Sequence, residues 1–427
     1  MGMSLSTSLS LTAIRRAAQP VPDVDPVWPD YPYTQLSPLT SLADIRGSVT
    51  GLTFIDDGSP VPLRHDIPSS NTIYIQPAAM MAPIDIRGGN IVIPWQAIAN
   101  LSPAAASQLD RFNLELYSAG TLAAPGTAYH ELPVGTGNTP SWLRADSTAP
   151  DNATPGQIQF SAFHASQLTA VGGGADLSAI THWRLHISST TTANVIMRLG
   201  APRFQANPRT KATAIFTFDD GDVSQYSYAF SAMSALGFPG VLYPGAVLAC
   251  VDQPGKLTSA HIAEMRAAGW QLGSQAYTNE AVCTQAEVDA LRAWQKGKGA
   301  RPDGADGSYY SGFNPHNPTA QAVLRPNYRS LVRFDSSNPS PTTPVRQGEP
   351  FPIADRHNIK RLSGMSADER LIAHANQAIQ TKGVAVYAWH NELATAGTQR
   401  TAFEALLAHL DANRADIEVL TWRGLVG

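Results

Sequence analysis

The sequence predicts two unlike folded units in one chain: an antiparallel β-sandwich, then an α/β unit with a parallel sheet, flat or closed into a barrel. Three observations lead there. The chain has 427 residues, too many for one ordinary domain. Residues 46–205 hold short alternating strands between turn clusters. From residue 213 the rhythm changes to apolar strands separated by helical patterns.

Residues 1–45 come first and show little periodicity. Five prolines fall in PVPDVDPVWPDYPY, which fixes φ and removes backbone donors. An extended segment is expected, one that cannot fold alone. Candidate strands of the sandwich are 48–55, 71–76, 90–95, 111–118, 156–163, 182–189 and 194–200. In 183–188, Trp183, Leu185 and Ile187 point one way and Arg184, His186 and Ser188 the other. The stretches AGTLAAPGTA, GTGNTP and TAPDNATPG supply turns. Such strands pack as two sheets face to face.

FQANPRTKA (204–212) reads as a linker, and the second unit takes up 213–427. Its strands are expected at 214–218, 240–247, 270–275, 384–389 and 417–422, with helices at 224–237, 257–269, 287–295, 366–383 and 402–414. Tyr226, Phe230, Met233 and Leu236 recur at helical spacing, and Gly237 is placed to end that helix.

Composition narrows the function classes. With 43% hydrophobic and 15% charged residues the chain buries a sizeable core. The net charge is −4 and no Lys/Arg-rich block occurs, which argues against nucleic acid as partner. No run reaches the roughly 20 apolar residues of a membrane span, so no membrane insertion is expected. Arg15 and Arg16 follow the apolar part of the N-terminus instead of preceding it, so a cleaved signal is not expected. Cys250 and Cys283 have no CxxC or CxxH spacing and read as free buried thiols.

The strongest chemical signal is Thr217-Phe218-Asp219-Asp220-Gly221. Two adjacent carboxylates end a buried strand just before a glycine turn, where parallel α/β folds place their sites. Neighbouring carboxylates repel and can divide into a base and a metal ligand. A helix-capping Asp in a solvated turn is the plain alternative.

TFDDG resembles the first signature of the polysaccharide deacetylase (NodB-homology) family, and the resemblance runs over about half the chain. It implies a distorted (β/α) barrel. LTSAHIAEMRAAGWQLGSQAYTNE resembles the family's second block and VAVYAWHNE its closing block. Carried over, Asp219 stands for the general base, Asp220 for a metal ligand and His390 for the general acid. Gln275 and Asn279 fall where the family keeps two metal-binding histidines. Amide oxygens hold Zn²⁺ poorly, so the resemblance implies no resident cofactor, or at most a weakly bound divalent cation such as Ca²⁺ or Mg²⁺. The third block, SYYSGFNPHNP (308–318), lacks the family's arginine, which leaves Asp219 without its expected support.

Aromatics crowd these blocks. Tyr277, Tyr309, Tyr310, Phe313 and Trp389, with His316, are candidates for substrate contact beside Gln275 and Asn279. Core packing is the competing role for Trp389. His261 and His374 sit in helical patterns and read as surface or packing residues, and His357 lies in an uninformative loop.

DLSAITHWRLHISSTTTANVIMRLGAPRF (176–204) looks like the closing strands of jelly-roll carbohydrate-binding modules. SLSTSLSLTAIRR (4–16) resembles the opening peptides of bacteriophage tail proteins. Together these resemblances imply a homotrimeric phage tail fibre or tailspike protein. It would be located in the virion and attached to other tail or baseplate proteins through residues 1–45. It would meet a bacterial surface glycan through a deacetylase-like domain with weak or no catalysis. An active deacetylase with an atypical metal site and a purely structural assembly protein are the alternatives.

Overall fold

The computed structural model describes residues 30–47, 51–68, 71–99, 109–131, 158–189, 195–244, 251–276, 284–297, 307–309, 318–334, 349–357, 359–366 and 368–426. The first half holds two antiparallel sheets. One runs Thr34–Gln35, Arg203–Ala206, Gly89–Ala99, Val195–Leu199, Leu63–Ile67, Leu52–Phe54, with Ile158–His164 also paired to Gly89–Ala99. The other runs Thr169–Val171, Tyr129–Glu131, Leu109–Tyr117, His182–Ser189, Thr72–Pro77, Ile45–Gly47.

The alternation read from sequence decides which face each side chain takes. Trp183, Leu185 and Ile187 share one core with Phe112, Leu114 and Leu116 of their own sheet and with Ile91, Ile93 and Trp95 of the other. Burying this apolar area is what holds the two sheets together. The indole N–H groups of the two buried tryptophans find oxygens: Trp95 donates to Ser161 Oγ at 3.0 Å and Trp183 to Ser37 Oγ at 3.2 Å.

Two expectations change here. The candidate strand 48–55 is shorter, Leu52–Phe54, and pairs with Leu63–Ile67, while Ile45–Gly47 just before it is a strand the sequence reading missed and pairs with Thr72–Pro77 in the opposite sheet. Gly47 makes the crossing possible. Its φ is +112°, and a Cβ there would lie 2.2 Å from the Tyr74 carbonyl oxygen. The linker also begins later than the sequence suggests, because Arg203–Ala206 is a strand paired to Gly89–Ala99. Its other edge is taken by Thr34–Gln35, so the end of the proline-rich segment lies along the sandwich.

In the second half Ala212–Asp219 is central, and all eight of its residues are buried. Every neighbouring strand is parallel. Val384–Trp389 pairs on one side, followed by Ile359–Ser363 and Val332–Phe334. The other side is divided: Ile417–Val419 takes the start and Val241–Tyr243 the end, with Gln271–Leu272 beyond. Helices Ser259–Ala267, Gln285–Gly297, Asp368–Thr381 and Thr398–Ala412 accompany the sheet. Among the described residues no helix is long and apolar enough to cross a membrane.

The expected barrel is a curled, open parallel run among the described strands. Gly273 interrupts the strand after Leu272, its N–H bonded to the Leu242 carbonyl at 2.8 Å. Beyond it, Ser274–Ala276 leaves the main ladder and pairs with Gly307–Tyr309 as a separate two-stranded sheet. The halves touch through side chains: Asn90 Nδ2 donates to the Phe351 carbonyl at 2.8 Å, and Arg209 pairs with Glu418.

Candidate functional site

Ala212–Asp219 is buried along its whole length, so it carries Asp219 into the interior at the C-terminal edge of the sheet. The turn that follows is sharp, with Asp220 at φ +65° and Gly221 at φ +61°. Asp is one of the few non-glycine residues that tolerate this region.

Asp219 is 0% exposed and is held by a partner the sequence reading missed. Arg361, 1% exposed, reaches across the intervening strand Val384–Trp389 from Ile359–Ser363. Its Nη1 donates to Asp219 Oδ1 and its Nη2 to Oδ2, both at 2.8 Å. Nη1 also donates to Thr217 Oγ1 at 3.0 Å, and that hydroxyl donates to the Tyr387 carbonyl at 2.8 Å. This is a buried two-pronged ion pair with planar fork geometry. The expectation that Asp219 lacks an arginine is therefore corrected: the cation comes from a different strand.

His390 follows the adjacent strand Val384–Trp389. Its Nε2 lies 3.7 Å from Asp219 Oδ2 and its Nδ1 3.4 Å from Glu392 Oε1. Its backbone N–H donates to the same Glu392 carboxylate. Burial pulls the His390 pKa down, but the Glu392 hydrogen bond and the charges of Asp219 and Glu392 outweigh it, and the net shift is upward. Asp219, His390 and Glu392 thus form a line running outward from the core, with only His390 offering appreciable surface, 17% of its side chain.

Gln225 ties the two strand ends together. It opens a π-helical turn, Gln225–Phe230, and is fully buried. Its amide Nε2 donates to the carbonyl oxygens of both Asp219 and His390. Its Oε1 meets no partner among the described residues.

Gln275 is placed beside this line as expected, but its chemistry differs from that of a ligand. It is 3% exposed, and its Oε1 accepts the Asp220 backbone N–H at 3.3 Å. Lys256 Nζ donates to the Asp220 carbonyl at 2.9 Å, so the turn is fixed from two sides. Among the described residues no group of three His, Cys, Asp or Glu side chains is placed to hold a metal ion. The family resemblance implies a divalent metal, and the described donors do not fit one. Asp219 gives both oxygens to Arg361, the Gln275 oxygen accepts a backbone N–H, and the His390 nitrogens face Asp219 and Glu392, which leaves the Asp220 carboxylate.

Trp389 is corrected from a substrate contact to a core residue. It is 0% exposed, its ring meets Phe403 edge-on at 4.9 Å, and Gly364 lies so close that a Cβ there would be 2.3 Å from the indole. Tyr309 ends Gly307–Tyr309, its backbone opposite Ala276. Tyr277, Asn279, Tyr310, Phe313 and His316 lie outside the described residues, as do Cys250 and Cys283. Three further histidines weighed from the sequence make structural contacts. His261 Nδ1 accepts the Thr258 N–H at 3.1 Å as part of a helix cap, His374 meets Tyr387 edge-on, and the His357 ring bonds the Tyr328 carbonyl.

Arg361, Glu392 and Gln225 are the site residues that sequence reasoning did not find. A signal existed for the first: a carboxylate predicted at the end of a buried strand calls for a partner of opposite charge or hydrogen-bond donors.

No family model matches the chain. No curated protein matches it either. Several solved structures resemble about half of it. One is a family 4 carbohydrate esterase from Streptomyces lividans in complex with acetate, with 12% identity, 48% of this chain and 90% of that one covered, and a TM-score of 0.31. Another is a polysaccharide deacetylase from Bacillus cereus, with 14% identity, 50% and 92% covered, and a TM-score of 0.30. A third is a mutant of a family 4 pseudoenzyme with restored enzymatic activity, with 9% identity, 55% and 78% covered, and a TM-score of 0.32. Identities and scores this low assign neither an activity nor a ligand to this chain.

Proposed function

We propose that the C-terminal half recognises a bacterial surface polysaccharide on a deacetylase-like scaffold, with little or no hydrolysis. The observation that carries this reading is the state of Asp219. A general base must meet water or substrate. Asp219 has no exposed surface and gives both carboxylate oxygens to Arg361. What faces outward is His390, oriented by Glu392 and biased toward the imidazolium form, a good donor to a sugar hydroxyl or acyl oxygen. No resident cofactor belongs to this reading, and a divalent cation at Asp220 would be held only weakly.

The wider context is part of the same proposal. The chain serves as a homotrimeric phage tail fibre or tailspike component, with residues 1–45 meeting other tail or baseplate proteins. The N-terminal sandwich acts as a jelly-roll-like glycan-binding unit. The Ser/Leu-rich opening and the sandwich beside a deacetylase-like unit support this.

One observation favours the alternative of an active esterase: His390 and Asp219 lie 3.7 Å apart, near enough to share a reacting group if the ion pair opens. Acetate release from acetylated chitooligosaccharides and from host capsule, measured beside binding to the same glycans, separates the two. Binding that weakens in His390→Ala, with no acetate released, is the expected result. Acetate release that disappears in His390→Ala would replace the recognition reading with the enzymatic one.

A further inference from the structure

The second sheet of the sandwich has a face that the core does not use. Strand alternation turns Asn113, Glu115 and Tyr117 of Leu109–Tyr117, Arg184 and His186 of His182–Ser189, and Tyr74 and Gln76 of Thr72–Pro77 away from the apolar layer. Register places Glu115 opposite Arg184, and His186 opposite both Asn113 and Tyr74. The outer face of a sheet is normally wet. Here Glu115 and Asn113 are each 1% exposed, and Gln76 and His186 each 8%. The sheet thus carries a covered polar layer.

A cleft of about 660 Å³ opens over this layer, lined by Arg46, Tyr74, Gln76, Leu122, Pro125 and Arg184 among others. That volume lies in the range of small-molecule sites, ~300–1,000 Å³. The groups in it are organised. Glu115 accepts Arg184 Nε at 2.5 Å and the Tyr117 hydroxyl at 2.7 Å, with His186 Nδ1 at 3.4 Å. Burial pushes the Glu115 pKa up, but the bonds from His186, Arg184 and Tyr117 hold it down at about 2, so it is an anion at neutral pH.

Arg184 is fixed twice, by Glu115 at Nε and by Tyr74, over whose ring its guanidinium carbon stands at 4.7 Å. Its two terminal amino groups meet no acceptor among the described residues. Arg46, exposed on the neighbouring strand Ile45–Gly47, has no described partner. Gln76 donates its amide to the Leu122 carbonyl at 2.8 Å, which turns its Oε1 toward other donors. Leu122 and Pro125 supply an apolar wall.

We propose that this cleft binds the carboxylate-bearing sugar unit of an acidic polysaccharide, a hexuronate. Arg184 and Arg46 take the carboxylate, and Gln76 accepts from a neighbouring hydroxyl. The surroundings favour a monoanion. Arg184 and Arg46 are the charged residues lining the cleft, while Glu115 and Glu131 are both buried in the layer beneath it, so a dianionic phosphate would meet more repulsion than a single carboxylate. The guanidinium plane matches a carboxylate with two parallel donors. The ring's C–H face meets the apolar wall. This site is separate from the line Asp219–His390–Glu392 and rests on the reading of the sandwich as a glycan-binding unit, to which it adds a ligand class.

The test uses the full chain and calorimetric titration with a galacturonate trimer, its carboxyl-reduced neutral counterpart, and a phosphorylated sugar of similar size. The uronate trimer is expected to bind at least tenfold more tightly than either of the other two. Arg184→Gln should weaken it about tenfold or more, the range of a lost charge-assisted pair. Arg46→Ala should weaken it severalfold. Arg46 holds no buried partner, so its variant decides the matter even if Arg184→Gln fails to fold. Equal binding of the carboxyl-reduced trimer, preference for the phosphorylated sugar, wild-type affinity in Arg46→Ala, or no uronate binding at all each overturn the proposal.

Discussion

Replacing Asp219 with asparagine leaves the size of the side chain almost unchanged and removes its charge. Arg361 then sits at 1% exposure facing a neutral amide where it had a carboxylate, with its bond to Thr217 Oγ1 kept. Two charge-assisted bonds of 2.8 Å are lost or weakened together. Breaking one partner of a buried pair costs about 3–5 kcal/mol, because the surviving charge remains desolvated. At roughly 1.4 kcal/mol per tenfold, that is two to three and a half decades in the opening equilibrium of the C-terminal sheet. Removing both charges behaves differently: Asp219→Leu with Arg361→Met fills the space with apolar atoms and is expected to return within about 1.5 kcal/mol of the parent. The chain has two units and need not unfold as one. Hydrogen exchange resolved at the amides of Ala212–Asp219 reads the local opening free energy directly. A loss below about 1 kcal/mol in Asp219→Asn would refute the reasoning, since only a pair reached by water is that tolerant.

Three further outcomes follow from the same structure. His390 has a folded pKa raised above its unfolded value, so its stabilising contribution is complete below about pH 6.5 and is lost as pH rises through the folded pKa. The stability difference between the parent and His390→Gln should shrink across that window, and NMR titration should show Glu392→Gln lowering the His390 pKa. Gly47→Ala should destabilise the sandwich by roughly 1–3 kcal/mol, read by urea denaturation, because it places a Cβ at positive φ against the Tyr74 carbonyl. Zinc content after dialysis, read by mass spectrometry, should fall well short of one equivalent, since no three His, Cys, Asp or Glu side chains among the described residues are placed to hold a metal ion.

Sequence alone determined the periodicities. Period-two alternation in 182–189 and 111–118 fixed which side chains face the core, and the alternation of strands with helices after residue 213 fixed a parallel sheet. It also placed Asp219 and Asp220 at a strand end, and the family resemblance set Gln275 and His390 beside them. Tertiary structure alone decided the partners. Arg361 and Asp219 are 142 residues apart in the chain and meet only because Val384–Trp389 lies between their strands. The crossing at Gly47, the Gln275 amide turned onto the Asp220 backbone and the burial of Trp389 are likewise invisible locally. The physical reason is that propensity and pattern act over a few residues. Which charges pair and which surfaces stay open depend on strand order, set by the packing of the whole core.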